Sequence, residues 1–192
     1  DGDLVMNHDQ VIINLQSTRM RGLHNAENVM AAVAACHSLG VQFDVAAEAL
    51  QGFAPPLHRC ELIRTLDGVE YINDSKATNL HALDSALRSQ IKPVVLLAGG
   101  KEKGLAYDEL LGRLEEKVHA AIVFGEIAST LESLFSEVVP TSSVETLDQA
   151  VDLSQAYAHS GDIVLLSPGT SSFDQFSGYE ARGDQFRKLV LA

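Results

Sequence analysis

The segment Val69-Glu70-Tyr71-Ile72-Asn73-Asp74-Ser75-Lys76-Ala77-Thr78-Asn79 changes character halfway along. Its first residues alternate β-branched or aromatic side chains with a polar one, the pattern of a strand. From Asn73 it turns polar, and past Asn79 the residues Leu80, Leu83 and Leu87 recur at helical spacing. A strand feeding a helix through a polar turn is the building unit of α/β proteins, and ligands bind beyond the carboxyl ends of such strands. This turn holds a carboxylate, an ammonium, hydroxyls and amides together, more chemistry than a connection needs.

The same alternation continues downstream. Strands are expected at Pro93–Ala98, Ala120–Phe124 and Ile163–Leu166, with a further short one at Val138-Val139. Helices are expected near Asn79–Ser89, Tyr107–Lys117, Ile127–Phe135, Val144–Ala158 and Tyr179–Val190. Short apolar strands between helices predict an α/β fold, a Rossmann-like, mostly parallel sheet with helices on both faces. Upstream, Glu61–Thr65 reads as a strand joined to Val69–Ile72 through an Asp67-Gly68 hairpin turn. Pro55 and Pro56 suit a linker. The expected division is 1–55, the tail of one domain, and 56–192, a second domain. The first part offers short strands at Leu4–Met6 and Val11–Ile13 around the turn-like Asn7-His8-Asp9. An Ala-rich helix to about Ser38 follows, buried along Val29, Val33 and Cys36, then a helix near Asp44–Gln51. His24 or Asn25 is placed where a cap belongs, with Asn28 one turn on.

Composition narrows the function classes. A net charge of −12 argues against nucleic acid as the main partner. No apolar run reaches the length of a membrane span, and Asp1-Gly2-Asp3 does not open a signal peptide, so a membrane partner is not expected and the location expected is cytoplasmic. Two cysteines give no disulfide framework, and the seven histidines show no metal-ligand spacing.

Three polar turns are expected on one sheet edge: Asp74–Asn79, Gly99–Gly104 and Ser167–Ser172. Gly99–Gly104 lacks the Lys and Ser or Thr of a P-loop and the third glycine of a dinucleotide fingerprint, so it offers Lys103, and with it Lys101, from a loop. Thr78 suits a helix cap, Ser171–Asp174 suits another, and Asp74 and Lys76 lie close enough in sequence to pair.

His24-Asn25-Ala26-Glu27-Asn28, Leu57-His58-Arg59-Cys60-Glu61, Asn73–Asn79, Gly99-Gly100 with Lys103, and Ser172-Phe173-Asp174-Gln175-Phe176 followed by Glu180-x-Arg182-Gly183 occur in this order. Together they resemble the C-terminal part of the Mur ligases, with the Asp74–Asn79 string pointing to the family's D-glutamate-adding member. The resemblance implies an ATP-dependent acid–amino-acid ligase that joins D-glutamate to UDP-N-acetylmuramoyl-L-alanine through an acyl phosphate, in peptidoglycan precursor synthesis. It implies residues 1–55 as the end of the family's central ATPase domain and 56–192 as its C-terminal domain. ATP and Mg2+ are implied as cofactors, the main magnesium ligands lying elsewhere in the parent protein. Its other domains are implied as partners, in a monomer, and the segment alone is expected to be inactive.

Residue by residue, the resemblance puts Asn25 and Asn28 near the adenine, Arg59 at the phosphates and Asp74 at the ribose or nearby nucleotide groups. Lys76 and Thr78 fall where nucleotide meets amino acid, as the catalytic pair. Lys103, Ser172, Tyr179 and Thr78 would hold D-glutamate. Tyr179 stands where the family pattern has Phe, and Leu23 departs from it ahead of His24. Two rivals are a related ligase of the folylpolyglutamate synthase kind and a non-catalytic small-molecule-binding domain.

Overall fold

The computed structural model describes the chain except residues 1–3, 9, 19, 21, 22 and 55, and leaves out the side chains of Leu23 and His24. The described chain forms two compact units, Asp1–Pro56 and Leu57–Ala192.

In the first unit, β1 (Leu4–Asn7) and β2 (Gln10–Asn14) pair antiparallel. Two strands bury too little on their own; here Val5, Ile13 and Leu15 share a core with Ala26, Val29 and Val33 of α1 (Leu23–Ser38). α2 (Phe43–Gly52) adds Phe43, Ala46, Ala47 and Leu50 to it. Cys36 is only half-buried, so the buried stripe of α1 fades before its end. Because α1 begins at Leu23, Asn25 lies in its first turn instead of capping it. The His24 side chain, Asp9 of the expected first turn and Pro55 of the linker lie outside the described residues.

The second unit is built on six strands in the order β3-β4-β8-β5-β6-β7. These are β3 (Glu61–Leu66), β4 (Val69–Asn73), β5 (Val94–Gly99), β6 (Val118–Phe124), β7 (Thr141–Val144) and β8 (Ile163–Leu166). Within this sheet only β3 runs antiparallel, joined to β4 by a tight turn with Asp67 at φ 51° and Gly68 at φ 82°, the left-handed pair that such hairpins require. The strand β7 begins at Thr141, not at Val138, because Val138 and Val139 are drawn into the end of the preceding helix by their bonds to Phe135.

Successive side chains of a strand point to opposite faces, and the two cores follow that rule. Val94, Leu96, Ala98, Ala121, Val123 and Leu165 face α3 (Leu80–Arg88), α4 (Leu111–Lys117) and α5 (Ala128–Phe135). Val95, Leu97, Ile122, Phe124, Val164 and Leu166 face α6 (Leu147–Tyr157) and α7 (Tyr179–Leu191). Both faces are covered, which is why β5 and β8 are apolar throughout. The architecture is α/β with a mostly parallel sheet and flanking helices. Its parallel strands all end on one edge, and every turn singled out by the sequence for its chemistry starts there.

Candidate functional site

The turn after β4 is held from three sides. Asp74 is buried, yet its carboxylate is not alone: Oδ2 accepts from the Ser167 hydroxyl at 2.8 Å and Oδ1 from the Cys60 N–H at 3.2 Å. Burial pushes its pKa from 3.8 up to about 6, against the opposing pull of these two hydrogen bonds and of the Arg59 charge. The Cys60 thiol is also pushed up, first by burial and then by Asp74 beside it. One residue further on, Ser75 donates its hydroxyl to the Tyr179 carbonyl at 2.8 Å.

Beneath these turns lies Arg182 of α7, the largest fully buried side chain among the described residues. Its Nε donates to Ser75 Oγ at 3.0 Å, and its Nη2 to the carbonyls of Ser75 at 2.9 Å and Thr170 at 3.1 Å. A longer contact, 3.5 Å, runs from Nη1 to the Gly99 carbonyl. One guanidinium therefore ties the turns after β4, β5 and β8 together. Arginine's planar fork is suited to that because it presents five donors at fixed angles. Burial lowers its pKa to about 10, so it stays charged at neutral pH.

His58 and Asn73 form a second brace. The Asn73 side-chain amide donates to the Gly183 carbonyl at 3.0 Å and lies 3.1 Å from His58 Nδ1. His58 packs so closely on α7 that a Cβ at Gly183 would lie 2.2 Å from Nδ1. His58 (φ 62°) and Cys60 (φ 44°) are both left-handed, a conformation costing a non-glycine residue about 1–2 kcal/mol. Between them Arg59 is exposed at the rim.

Cations gather above this frame. Lys76 Nζ sits 3.7 Å from the centre of the Tyr179 ring, and Lys103 Nζ donates to the Thr78 carbonyl at 3.2 Å. The loop after β5 reaches the loop after β8, with Lys101 N–H donating to the Ser171 carbonyl at 2.9 Å. Gly100 permits that approach: a Cβ there would lie 2.3 Å from the Ser171 oxygen. Ser172 is buried next to this contact. Arg59, Lys76 and Lys103 thus share one sheet edge over a buried guanidinium, a positive setting for anionic ligands in an acidic chain.

Of the residues singled out from the sequence, Arg59, Asp74, Lys76, Thr78, Lys103, Ser172 and Tyr179 belong to this edge. Asn25 and Asn28 are carried by α1 of the first unit, Asn25 half-buried and Asn28 exposed. Three possibilities that the local sequence leaves open are not realised. Asn79, not Thr78, caps α3, because its Oδ1 accepts from the Ala82 N–H at 2.9 Å. Asp74 and Lys76 do not pair, since the carboxylate is turned inward to Ser167 and the ammonium outward over Tyr179. No helix starts at Ser172; Asp174 instead accepts from the Glu126 N–H at 3.1 Å, bridging to the turn after β6. Ser167, Asn73, His58 and Arg182 hold the site through contacts that their local sequence does not show. A glycine inside a helix, Gly183, was the available signal, since it marks a close approach.

A cavity of about 370 Å3 opens at the opposite, amino edge, lined by Gln90, Lys92, Glu115, Lys117 and His119 among others, and has no part in this arrangement. Among the described residues no group of three or more His, Cys, Asp or Glu could hold a metal ion. Nor is any described helix long and apolar enough to cross a membrane.

Residues 58–170 match the family model for the Mur ligase, glutamate ligase domain. The chain is 46% identical to a UDP-N-acetylmuramoylalanine–D-glutamate ligase of Chlorobium phaeobacteroides over 88% of its own length and 37% of that protein's. It is 41% identical to the Salinibacter ruber enzyme of the same name, over 99% of its length and 42% of that protein's. It therefore spans about two-fifths of the curated relatives it matches. Among solved structures, a Mycobacterium tuberculosis folylpolyglutamate synthase complexed with ADP and AMPPCP superposes with a TM-score of 0.68 at 16% identity, over 88% of this chain and 41% of that one. The UDP-N-acetylmuramate–alanine ligase of Thermotoga maritima gives 0.63 at 16%, over 91% and 39%. These two likenesses concern the fold, whereas the family match covers more than half of the sequence together with the polar turns after β4 and β5, and the chain belongs to the Mur ligase family.

Proposed function

We propose that this chain is the C-terminal portion of an ATP-dependent ligase that joins D-glutamate to UDP-N-acetylmuramoyl-L-alanine, a cytoplasmic step in making peptidoglycan precursors. In this reading residues 1–55 end the central ATPase domain and 56–192 form the C-terminal domain. The observation that carries it is the gathering of Arg59, Lys76 and Lys103 on one sheet edge beside Ser172 and Thr78, in a sequence 46% identical to a ligase of that name. The same fold serves folylpolyglutamate synthase, but at 16% identity that likeness does not carry a substrate.

The chemistry asks for positioned positive charge. The γ-phosphoryl group of ATP passes to the substrate carboxylate, giving an acyl phosphate and ADP. The D-glutamate amine then adds to the acyl carbon, and the tetrahedral intermediate expels phosphate as the amide forms and the nitrogen loses its proton. Every species is anionic, so fixed cations that exclude water do most of the work. Arg59 would meet the phosphates and Asp74, whose carboxylate keeps acceptor sites beyond those taken by Ser167 and Cys60, the ribose or nearby nucleotide groups, with Asn25 and Asn28 toward the adenine. Lys76 and Thr78 would lie between nucleotide and amine. Lys103 and Ser172 would hold the side-chain carboxylate of D-glutamate, with Tyr179 closing over it. Magnesium would neutralise the phosphates, held by residues elsewhere in the parent protein.

In the full-length parent, Lys103→Ala and Ser172→Ala should each raise KM for D-glutamate about tenfold or more, the loss of one charge-assisted contact. KM for ATP should move little. Steady-state kinetics in both substrates decides it: equal changes in the two values would remove the assigned role.

A further inference from the structure

Arg59 stands between two strained residues, and the groups that hold that strain are supplied by β4 with its following turn and by Glu61 at the start of β3, whose Oε2 accepts the His58 N–H at 3.2 Å. Lys76 N–H donates to the His58 carbonyl at 3.0 Å, the Asn73 amide meets His58 Nδ1, and the Asp74 carboxylate receives the Cys60 N–H. The first two are neutral contacts on the residue before Arg59. The Asp74 bond acts on the residue after it, where the backbone must return from φ 44° into β3. The opposite oxygen of the same carboxylate is bound by Ser167, itself fully buried just past the end of β8.

We infer that Asp74 is a positioning residue for Arg59: its carboxylate clamps the strained His58-Arg59-Cys60 turn through Cys60 N–H, and Ser167 aims that carboxylate. A charge-assisted acceptor holds an N–H more strongly than a neutral carboxyl does. The clamp is therefore strongest when Asp74 is ionised and weakens as it takes up a proton. The groups facing the carboxylate are few. The 58–60 turn brings the Cys60 thiol and the Arg59 charge, and the end of β8 brings the Ser167 hydroxyl. Lys76, on the turn of Asp74 itself, has its ammonium over Tyr179. What Arg59 reaches, the phosphates of a nucleotide, rests on the ligase reading; how Arg59 is placed does not.

The test is an NMR pH titration of the labelled 192-residue chain, from about pH 4 to about pH 8, following the Asp74 carboxyl carbon and the Cys60 and Arg59 amides. The carboxyl should titrate with a midpoint of about 6, and both amides should follow that midpoint. Ser167→Ala should move all three midpoints upward together by about half a pH unit to one, the loss of one hydrogen bond to the ionised form. Ser167→Thr, which keeps a hydroxyl, should restore them. Asp74→Asn should abolish the transition at Cys60 and Arg59 and leave the amides of β5 and β6 in place. The inference is overturned by a Cys60 or Arg59 amide that stays flat while Asp74 titrates, or by midpoints indifferent to Ser167→Ala. The titration uses no substrate, so its outcome is independent of whether the parent is the ligase proposed.

Discussion

Arg182 and Gly183 sit side by side in α7 and do opposite things for the candidate site. The arginine fills the space under three turns and satisfies their carbonyls; the glycine leaves space for a histidine. An alanine at 183 would bring a methyl group within 2.2 Å of the His58 ring, and His58 cannot yield without dropping its contact with Asn73. Helix propensity argues the other way, since Ala is favoured over Gly by roughly 1 kcal/mol in a helix interior. Overpacking of a buried ring costs about 1–3 kcal/mol or more and should win. Gly183→Ala is therefore expected to destabilise the chain, seen as a lower urea midpoint, with the Arg59 resonances displaced. A more stable variant would show that the ring is free to move aside.

At the scale of single elements, the helices owe their limits to different causes. α6 starts where it does because of a capping box: Thr146 Oγ1 accepts from the Gln149 N–H at 3.3 Å and Gln149 Oε1 from the Thr146 N–H at 3.2 Å. Apolar spacing alone would begin this helix at Val144, but Val144 is in β7, paired with Phe124. Such spacing cannot tell a residue that ends a strand from one that opens the next helix. Thr146→Ala should cost about 1 kcal/mol of stability, read from urea unfolding, and raise amide exchange in the first turn of α6. An unchanged midpoint would mean the end of β7 alone holds that turn. For α7, by contrast, Gly178 offers no side-chain cap, and a tertiary bond from the Ser75 hydroxyl to the Tyr179 carbonyl ties the helix start to the turn after β4.

Across the whole molecule, the arrangement gives up stability for a poised site. Asp74 has a folded pKa of about 6 against 3.8 unfolded, so the folded chain binds that proton more tightly. Its contribution to stability is fully present below the unfolded value of 3.8 and is lost as pH rises through about 6. A rise of that size corresponds to about 3 kcal/mol, on the order of a third of a typical domain's stability. Unfolding of the chain and of Asp74→Asn at about pH 4 and about pH 7.5 checks this. The variant should gain on the parent chain by up to about that amount at the higher pH. A difference that does not change with pH would reject the assignment.

Much of this was legible in the residues themselves. Strand and helix alternation is a local property of apolar period, so the β4-to-α3 unit, the buried strands β5, β6 and β8, and the Asp67-Gly68 turn could be read directly. So could the family, and with it most of the polar edge, because Asn73–Asn79 and Gly99–Lys103 are contiguous strings. Strand order, and which side chain meets which, were not. Asp74 looks as near to Lys76 as to any partner in sequence, yet its carboxylate is buried and held by Ser167, 93 residues away, and by the N–H of Cys60 across a hairpin. Arg182 reads as a solvated helix residue until β4, β5 and β8 are set side by side above it. Local interactions decide the elements, and the sequence determines those alone; the placement of charge depends on long-range packing, and only the tertiary structure decided it.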